Sequence, residues 1–147
     1  MAKQIFVNLP VKDLKKSIEF FSNLGFSFNP QFTDKNATCM IIGENIYVML
    51  LVEKFFAAFT KKEIVNAKNQ TEVIIAIDAQ SRKAVDEMIK KAEKSGGKEP
   101  RAAQDHGWMY SRAFEDLDGH IWEIGYMDTS LLGKQNAAEF SKKQKKK

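Results

Sequence analysis

The first half of the chain alternates between the hydrophobic periodicities of strands and helices. Over 5–9, Ile5, Val7 and Leu9 fall on one face and Phe6 and Asn8 on the other, which predicts a β-strand. The next segment carries apolar residues at helical spacing between Asp13, a good N-cap, and Gly25, a typical helix stop. Polar turns then separate three further apolar runs, which predict strands over 26–33, 37–42 and 46–52. The predicted order of the first half is β-α-β-β-β.

The second half repeats this order after a connecting segment. Residues 53–70 begin with an aromatic-rich stretch that predicts a short amphipathic helix, and they end in a polar loop. A strand over 71–78, a helix, an irregular strand over 98–103 and a final hairpin follow. The hairpin turns at Asp118-Gly119, a dipeptide suited to the positive φ angles of tight turns. Two β-α-β-β-β units of similar order indicate an internal duplication and an α+β fold.

These elements divide the chain into four parts. We predict a first module over 1–52, a connecting helix and linker over 53–70, a second module over 71–128 and a C-terminal extension over 129–147. The last six residues contain five lysines, so the rest of the chain carries a net charge of −1, the total of +4 less 5. Such a tail is typical of a disordered end. We predict no nucleic-acid partner, because no recognised nucleic-acid-binding module accompanies the lysines.

The composition predicts a cytoplasmic globular protein. The chain is 44% hydrophobic and 29% charged, values typical of soluble domains. No apolar run is long enough to cross a membrane, and the N-terminus shows no signal-peptide pattern. The single cysteine, Cys39, excludes an internal disulfide and fits a reducing compartment.

The last strand carries one carboxylate on a face that is otherwise apolar or bare. Because side chains alternate between the two faces of a strand, Glu123 falls on the side opposite Trp122 and Ile124. A carboxylate in that position is costly unless it is paired, hydrogen-bonded or bound to a metal. Glu123 is therefore the leading candidate for a functional residue.

Two motifs resemble those of the vicinal oxygen chelate superfamily, which includes glyoxalase I, bleomycin-binding resistance proteins, fosfomycin-resistance thiol transferases and extradiol dioxygenases. Residues 11–21, from Val11-Lys12-Asp13-Leu14 to Phe20-Phe21, are similar to the family's V-x-D-L-x-x-S-x-x-F-Y. Residues 116–123 are similar to its D-P-D-G-[NH]-x-x-E, with leucine in place of proline. The resemblance covers 3–128 and implies paired modules that form a half-open barrel around a ligand, commonly in a homodimer.

The resemblance also implies positions for a divalent metal. Enzymes of the superfamily hold it with His, Gln or Glu from the first strand of each module and from the last strand of one or both modules. These positions match Glu72 and Glu123, but the first-strand position of the first module falls on Phe6 and the fourth-strand position falls within the apolar 48–51. Two glutamates without histidine are a poor ligand set for Zn, Ni, Mn or Fe. Alternatively, Glu72 and Glu123 form a carboxylate pair for proton transfer, or one of them pairs with a cation and rims a pocket.

Further polar and aromatic side chains are candidates for ligand contact in the barrel. Asn8 shares a face with Phe6 and carries an amide oxygen. Arg112 interrupts a hydrophobic strand, which makes it the best cationic candidate, either as the partner of Glu123 or as an anion anchor. A loop before the hairpin adds three more candidates, His106, Trp108 and Tyr110.

Three functions remain open from the sequence. The leading hypothesis is a protein with an incomplete metal-ligand set that binds a small organic molecule in the barrel. The alternative is a glyoxalase-like lyase of the lactoylglutathione lyase type, or a thiol transferase, with a divalent metal held by Glu72 and Glu123. The third is a protein-interaction role for the aromatic cluster Phe55, Phe56 and Phe59.

Overall fold

The computed structural model describes residues 1–131 and contains eight strands in two sets of four. The elements are β1 (Ile5–Val11), α1 (Leu14–Asn23), β2 (Ser27–Asn29), β3 (Ala37–Gly43), β4 (Ile46–Val52), α2 (Glu53–Ala57), β5 (Ile74–Asp78), α3 (Arg82–Lys94), β6 (Gln104–Asp105), β7 (Met109–Glu115) and β8 (Ile121–Met127). The predicted order β-α-β-β-β therefore occurs twice, and the predicted fold class is confirmed. The predicted basic tail lies outside the described residues.

Each set of strands forms its own mixed sheet. The strand orders are β1-β4-β3-β2 and β5-β8-β7-β6. In each sheet the first and last strands of the module pair in parallel, and the remaining pairs are antiparallel. Within residues 1–131 the two sheets share no strand, so no closed barrel forms.

The helices begin where the sequence predicts. The Asp13 carboxylate accepts a hydrogen bond from the Lys16 backbone N–H at 3.1 Å, and the Ser81 hydroxyl accepts one from the Ala84 N–H at 3.0 Å. These bonds satisfy N–H groups that the first helical turn leaves without partners. No helix of the described chain is both long and apolar enough to cross a membrane.

The two modules share one hydrophobic core. Phe20 and Phe21 of α1 contact the second sheet, with ring-centroid distances of 5.9 Å to Phe114 and 5.2 Å to Trp122. All four rings are buried, and each contributes large apolar area. The helix of the first module thus packs against strands of the second, which makes the two modules one folding unit.

Two predicted strands are shorter in the structure, and proline explains both. Pro30 opens a short 3-10 turn over Pro30–Phe32, capped by the Asn29 side chain, so the predicted strand 26–33 is reduced to Ser27–Asn29. The predicted strand over 98–103 is reduced to a single bridge between Lys98 and Glu115. Pro100 follows directly, and it has no backbone N–H to continue the ladder.

Each sheet packs one face against the helices and turns the other away from them. In β8, Trp122 and Ile124 are buried in the core with residues of α3. Glu123, between them, therefore lies on the opposite face. We call this second face of each sheet the distal face; in the second sheet it carries Glu123, Gly125 and Ala113.

The β7–β8 hairpin is fastened to the linker and to the first module. Gly119 has φ 95°, and a Cβ at this position would lie 2.7 Å from the Ala67 carbonyl oxygen. The Lys12 backbone N–H donates to the Asp118 carboxylate at 2.9 Å. The hairpin tip therefore helps to set how the two modules meet.

Candidate functional site

The pairing that a carboxylate on the distal face requires is supplied by Arg101. Its Nη2 donates to Glu123 Oε2 at 2.6 Å and to the Ser111 hydroxyl at 3.1 Å. Its Nη1 donates to the Ala102 carbonyl oxygen at 3.1 Å. The two charged side chains are 27% and 32% exposed, so the ion pair is accessible from solvent. Arg101 is not among the residues that the sequence pattern predicts for the site.

Short side chains surround this ion pair. Glu123 lies opposite Ala113 of β7 and Ala76 of β5, and Gly125 lies between Ser111 of β7 and Asp78 of β5. Within residues 1–131, a Cβ at Gly125 would meet nothing closer than the Tyr110 carbonyl oxygen at 4.0 Å. The guanidinium of Arg101 therefore lies over a floor of small residues, with space beside it.

Arg101 reaches this position from an irregular segment along the outer edge of β7. The segment is fixed at one end by the Lys98–Glu115 bridge and at the other by pairing of Gln104 with Ser111. Between these points the chain sends a charged side chain to each face of the sheet. Glu99 reaches Arg112 on the helix side, and Arg101 reaches Glu123 on the distal side.

Arg112 and Tyr110 lie on the helix side of the sheet. Nε and Nη2 of Arg112 donate to the two oxygens of Glu99 at 2.7 and 2.8 Å. Asp86 of α3 accepts from Arg112 Nη1 at 2.8 Å and from the Tyr110 hydroxyl at 2.6 Å. These bonds, with Tyr110 the larger cause, lower the pKa of Asp86 below its ordinary value. The structure does not bring Tyr110 or Arg112 together with Glu123 and corrects the expectation that all three line one cavity.

His106 and Trp108 belong to the β6–β7 loop, which α3 holds in place. Arg82 donates to both carboxylate oxygens of Asp105, at 2.7 and 2.8 Å, and to the Gly107 carbonyl oxygen at 3.0 Å. The Arg82 guanidinium, with the Gly107 N–H, strongly lowers the pKa of Asp105. His106 is exposed and Trp108 is half-buried. Their roles in ligand binding stay predictions.

Glu72 does not lie beside Glu123. Strand β5 begins at Ile74, and the residue of β5 that pairs with Glu123 is Ala76. Glu72 lies at a bend two residues before β5, so the regular strand pairing does not place it beside Glu123. The register therefore does not support the predicted carboxylate pair or the predicted two-glutamate metal site.

Glu72 instead lines a cleft at the junction of the modules. The cleft, of about 150 Å³, lies between the end of β1, the linker and the hairpin tip, and Asn8 and His120 also line it. A ring nitrogen of His120 lies 2.7 Å from the Pro10 carbonyl oxygen, which ties the hairpin to β1. The sequence did not predict this junction.

Phe6 forms an aromatic pair on the distal face of the first sheet. Its ring stacks on Tyr47 with a centroid distance of 4.9 Å and an interplanar angle of 17°. Phe6 is 51% exposed, so one face of the pair is open to contact. Asn8, two residues along β1, shares this distal face and is also exposed.

The residues at the superfamily's metal positions do not fit a divalent metal. On the first strands of the two modules, the distal-face residues include Phe6, Asn8, Ile74, Ala76 and Asp78. On the last strands they include Met49 and Glu123. Asn8, Asp78 and Glu123 carry possible oxygen ligands, but Asp78 pairs with Gly125 and not with Glu123, and Glu123 already pairs with Arg101. Within residues 1–131, no three His, Cys, Asp or Glu side chains gather around one point. Zn, Ni, Mn and Fe need a larger set of donors.

The fold and the sheet faces define the class of protein, a paired β-α-β-β-β protein of the glyoxalase and bleomycin-resistance type. Residues 3–43 match the family model of the bleomycin resistance protein-like N-terminal region. A hypothetical protein from S. aureus is 30% identical, with a TM-score of 0.73, and the match covers 86% of this chain and 95% of that one. No curated protein matches the sequence.

More distant solved structures share the fold. A glyoxalase/bleomycin resistance protein/dioxygenase family enzyme from Burkholderia phytofirmans is 15% identical with a TM-score of 0.70, over 86% of this chain and 99% of that one. A genomically encoded fosfomycin resistance protein from Listeria monocytogenes is 19% identical with a TM-score of 0.63, over 86% and 93%. The chain therefore has the glyoxalase/bleomycin-resistance fold, and residues 3–43 match a family model of the bleomycin-resistance type, in agreement with the resemblance of its two motifs.

Proposed function

We propose that this protein binds a small organic molecule on the distal face of its sheets and does so without a catalytic divalent metal. One observation carries the proposal. The last-strand carboxylate, which by resemblance would hold a metal, is neutralised by Arg101 of the same chain at 2.6 Å. A metal at Glu123 would have to displace this guanidinium and would find too few other ligands.

The surroundings favour an organic ligand with an apolar part. Phe6 presents an open aromatic face, and Ile74 and Met127, which the strand alternation places on the distal face, are each about half exposed. Sites for small molecules combine apolar walls with a few well-placed polar groups. Here the polar groups are Arg101 and Glu123.

The metal-dependent lyase or thiol transferase is the weaker proposal. It requires Glu72 and Glu123 in one site, and Ala76 takes the position beside Glu123. The names of similar proteins refer to resistance to bleomycin and to fosfomycin, which supports binding of a small molecule as the common theme.

Metal content and ligand-induced thermal shifts test the proposal. The protein, purified without chelator or affinity tag, should contain no stoichiometric metal, and Mg, Mn, Fe, Ni or Zn should give no stabilisation that depends on Glu123. Fosfomycin, bleomycin and a panel of aromatic acids and amines should include at least one compound that stabilises the wild type. One ion per chain that is lost in Glu123→Ala would refute the metal-free proposal.

We propose also that the protein is a cytoplasmic homodimer. Phe59 is 71% exposed and stacks edge-on against Phe55, at a centroid distance of 5.2 Å. An exposed aromatic pair of this kind is typical of a surface that another molecule covers. Sedimentation equilibrium should give twice the chain mass, and Phe59→Ser should weaken the association. A monomer at high concentration would refute the dimer, and cell fractionation tests the location.

A further inference from the structure

We propose that Arg101 is the anion-binding group of this site, and that its guanidinium takes the place beside Glu123 that a metal takes in enzymes of the superfamily. The ligand class is then a small organic anion with a carboxylate or phosphonate group. This inference rests on the proposed function, because it names the kind of molecule that the distal face binds.

The guanidinium has hydrogen-bond donors to spare. An arginine side chain carries five N–H bonds. Arg101 uses three of them, for the Ala102 carbonyl oxygen, the Ser111 hydroxyl and Glu123 Oε2. The Nε–H and one hydrogen of Nη1 donate to no acceptor among residues 1–131. Since the side chain is 27% exposed, an anion from solution can reach these donors.

Arg101 is also anchored independently of Glu123. Two of its nitrogens donate to groups other than Glu123, namely the buried Ser111 hydroxyl and the Ala102 carbonyl oxygen. Within the described chain, the side chain of Glu123 accepts a hydrogen bond from Arg101 alone. An anion can therefore compete with the Glu123 carboxylate and leave the guanidinium in place. Charge-assisted hydrogen bonds to carboxylate and phosphonate oxygens are strong when the arginine is held in position.

Space for the anion lies beside the guanidinium. Ala76 and Ala113 flank Glu123 on the neighbouring strands, and two residues further along β8 Gly125 pairs with Asp78, whose carboxylate is the acidic group at the β5 side of this space. Gly125 does not have a positive φ, and among residues 1–131 an added Cβ would meet no atom closer than 4.0 Å. A larger side chain at 125 therefore fits the backbone and fills the space that a ligand would use. Gly125→Leu is a steric probe of the site that leaves both charges intact.

Two matched probes test the inference, phenylphosphonate as the anion and benzylamine as the cation. Both are titrated into the full-length protein and followed by NMR, including the Nε–Hε resonance of Arg101. Phenylphosphonate should bind the wild type, shift this resonance and lose about tenfold in affinity in Arg101→Gln. Glu123→Gln should strengthen phenylphosphonate binding, because the competing carboxylate is gone. Arg82→Gln, which removes an arginine from an ion pair on the surface beside α3, is the matched control and should bind as the wild type does.

The outcomes separate this inference from the proposed function. Equal phenylphosphonate affinity in the wild type and Arg101→Gln, or preferential binding of benzylamine that Glu123→Gln removes, overturns the anion assignment. In either case the proposed function stands if Gly125→Leu abolishes binding of the probe, and fails if it does not. Absence of binding by both probes overturns the anion assignment, and the thermal-shift panel then decides the proposed function by itself.

Discussion

Asp116 is a buried carboxylate at the base of the hairpin, and its ionisation should make the stability of the protein depend on pH. It is 6% exposed. Its Oδ1 accepts hydrogen bonds from the backbone N–H groups of Asp118 and His120, both at 3.0 Å, and its Oδ2 accepts one from Trp122 Nε1 at 3.1 Å. Burial, with the nearby charge of Asp118, raises the pKa of Asp116 to about 6, although the charge of His120 and the hydrogen bonds from Trp122 and the His120 N–H oppose the rise. The perturbation is Asp116→Asn, which removes the titrating group and keeps its shape.

The size and sign follow from the difference in pKa between the folded and unfolded chain. An acid with a pKa of about 6 when folded and an ordinary value of 3.8 when unfolded contributes stability that is fully present below 3.8 and is lost as pH rises through about 6. The full difference corresponds to about 3 kcal/mol, of which about 2 kcal/mol falls between about pH 4 and pH 7.5. The variant should lack this dependence, since its amide does not ionise.

Urea denaturation of both proteins at several values of pH measures the effect. The free energy of unfolding of the wild type, less that of Asp116→Asn, should fall by about 2 kcal/mol as pH rises over this range. The new amide meets the Trp122 N–H less favourably at every pH, so the two free energies of unfolding also differ by a constant. The test is the change of their difference with pH, which this constant does not affect. Glu19→Gln, on the exposed face of α1, is the control and should follow the wild type. Parallel curves for the wild type and Asp116→Asn would refute the reasoning.

Three further changes test the core, the hairpin tip and the surface ion pairs. Phe21→Ala should lower the free energy of unfolding by about 3 to 5 kcal/mol. Fluorescence and circular dichroism should still report one unfolding transition, because the ring joins both modules, and two separate transitions would contradict the shared core. Gly119→Ala should lower Tm more than Gly107→Ala does. Both glycines have positive φ, but a Cβ at 119 would also collide with the backbone of the linker. Equal falls in Tm would exclude this collision. Arg82→Gln should change the free energy of unfolding by less than about 1 kcal/mol, because exposed ion pairs contribute little, and a larger loss in urea denaturation would show a structural role.

The positions of some residues of the candidate site can be predicted from the local sequence pattern. The positions of others depend on the register between strands. Alternation in β8 is enough to place Glu123 opposite Trp122, because period two belongs to any strand. The face of Arg112, in contrast, depends on the register of the hairpin, because a two-residue turn at Asp118-Gly119 would pair Arg112 with Gly125 on the face of Glu123. The hairpin pairs residues that lie at equal distances from Asp118, which sets Arg112 beside Ile124 and so on the helix side.

Glu72 shows where a local reading fails. Glu72 and Ala76 are an even number of residues apart, so in an uninterrupted strand alternation would place both on the same face. The observed strand begins two residues after Glu72, and the parallel pairing of β5 with β8 brings Ala76 to Glu123. Parallel register is set by packing of the crossover helix and the core between distant segments, and no local turn fixes it.

The order of elements, the helix caps, the hairpin turn and the type of fold could all be predicted from the sequence. Each of these depends on residues close together in the chain, whose preferences act locally. Only the tertiary structure decided that Arg101 neutralises Glu123 and that Glu72 lies in a separate cleft. Arg101 comes from an edge segment that Pro100 keeps out of the regular ladder, so no periodicity predicts its direction. Its position follows instead from the cost of leaving the Glu123 carboxylate without a partner on the distal face.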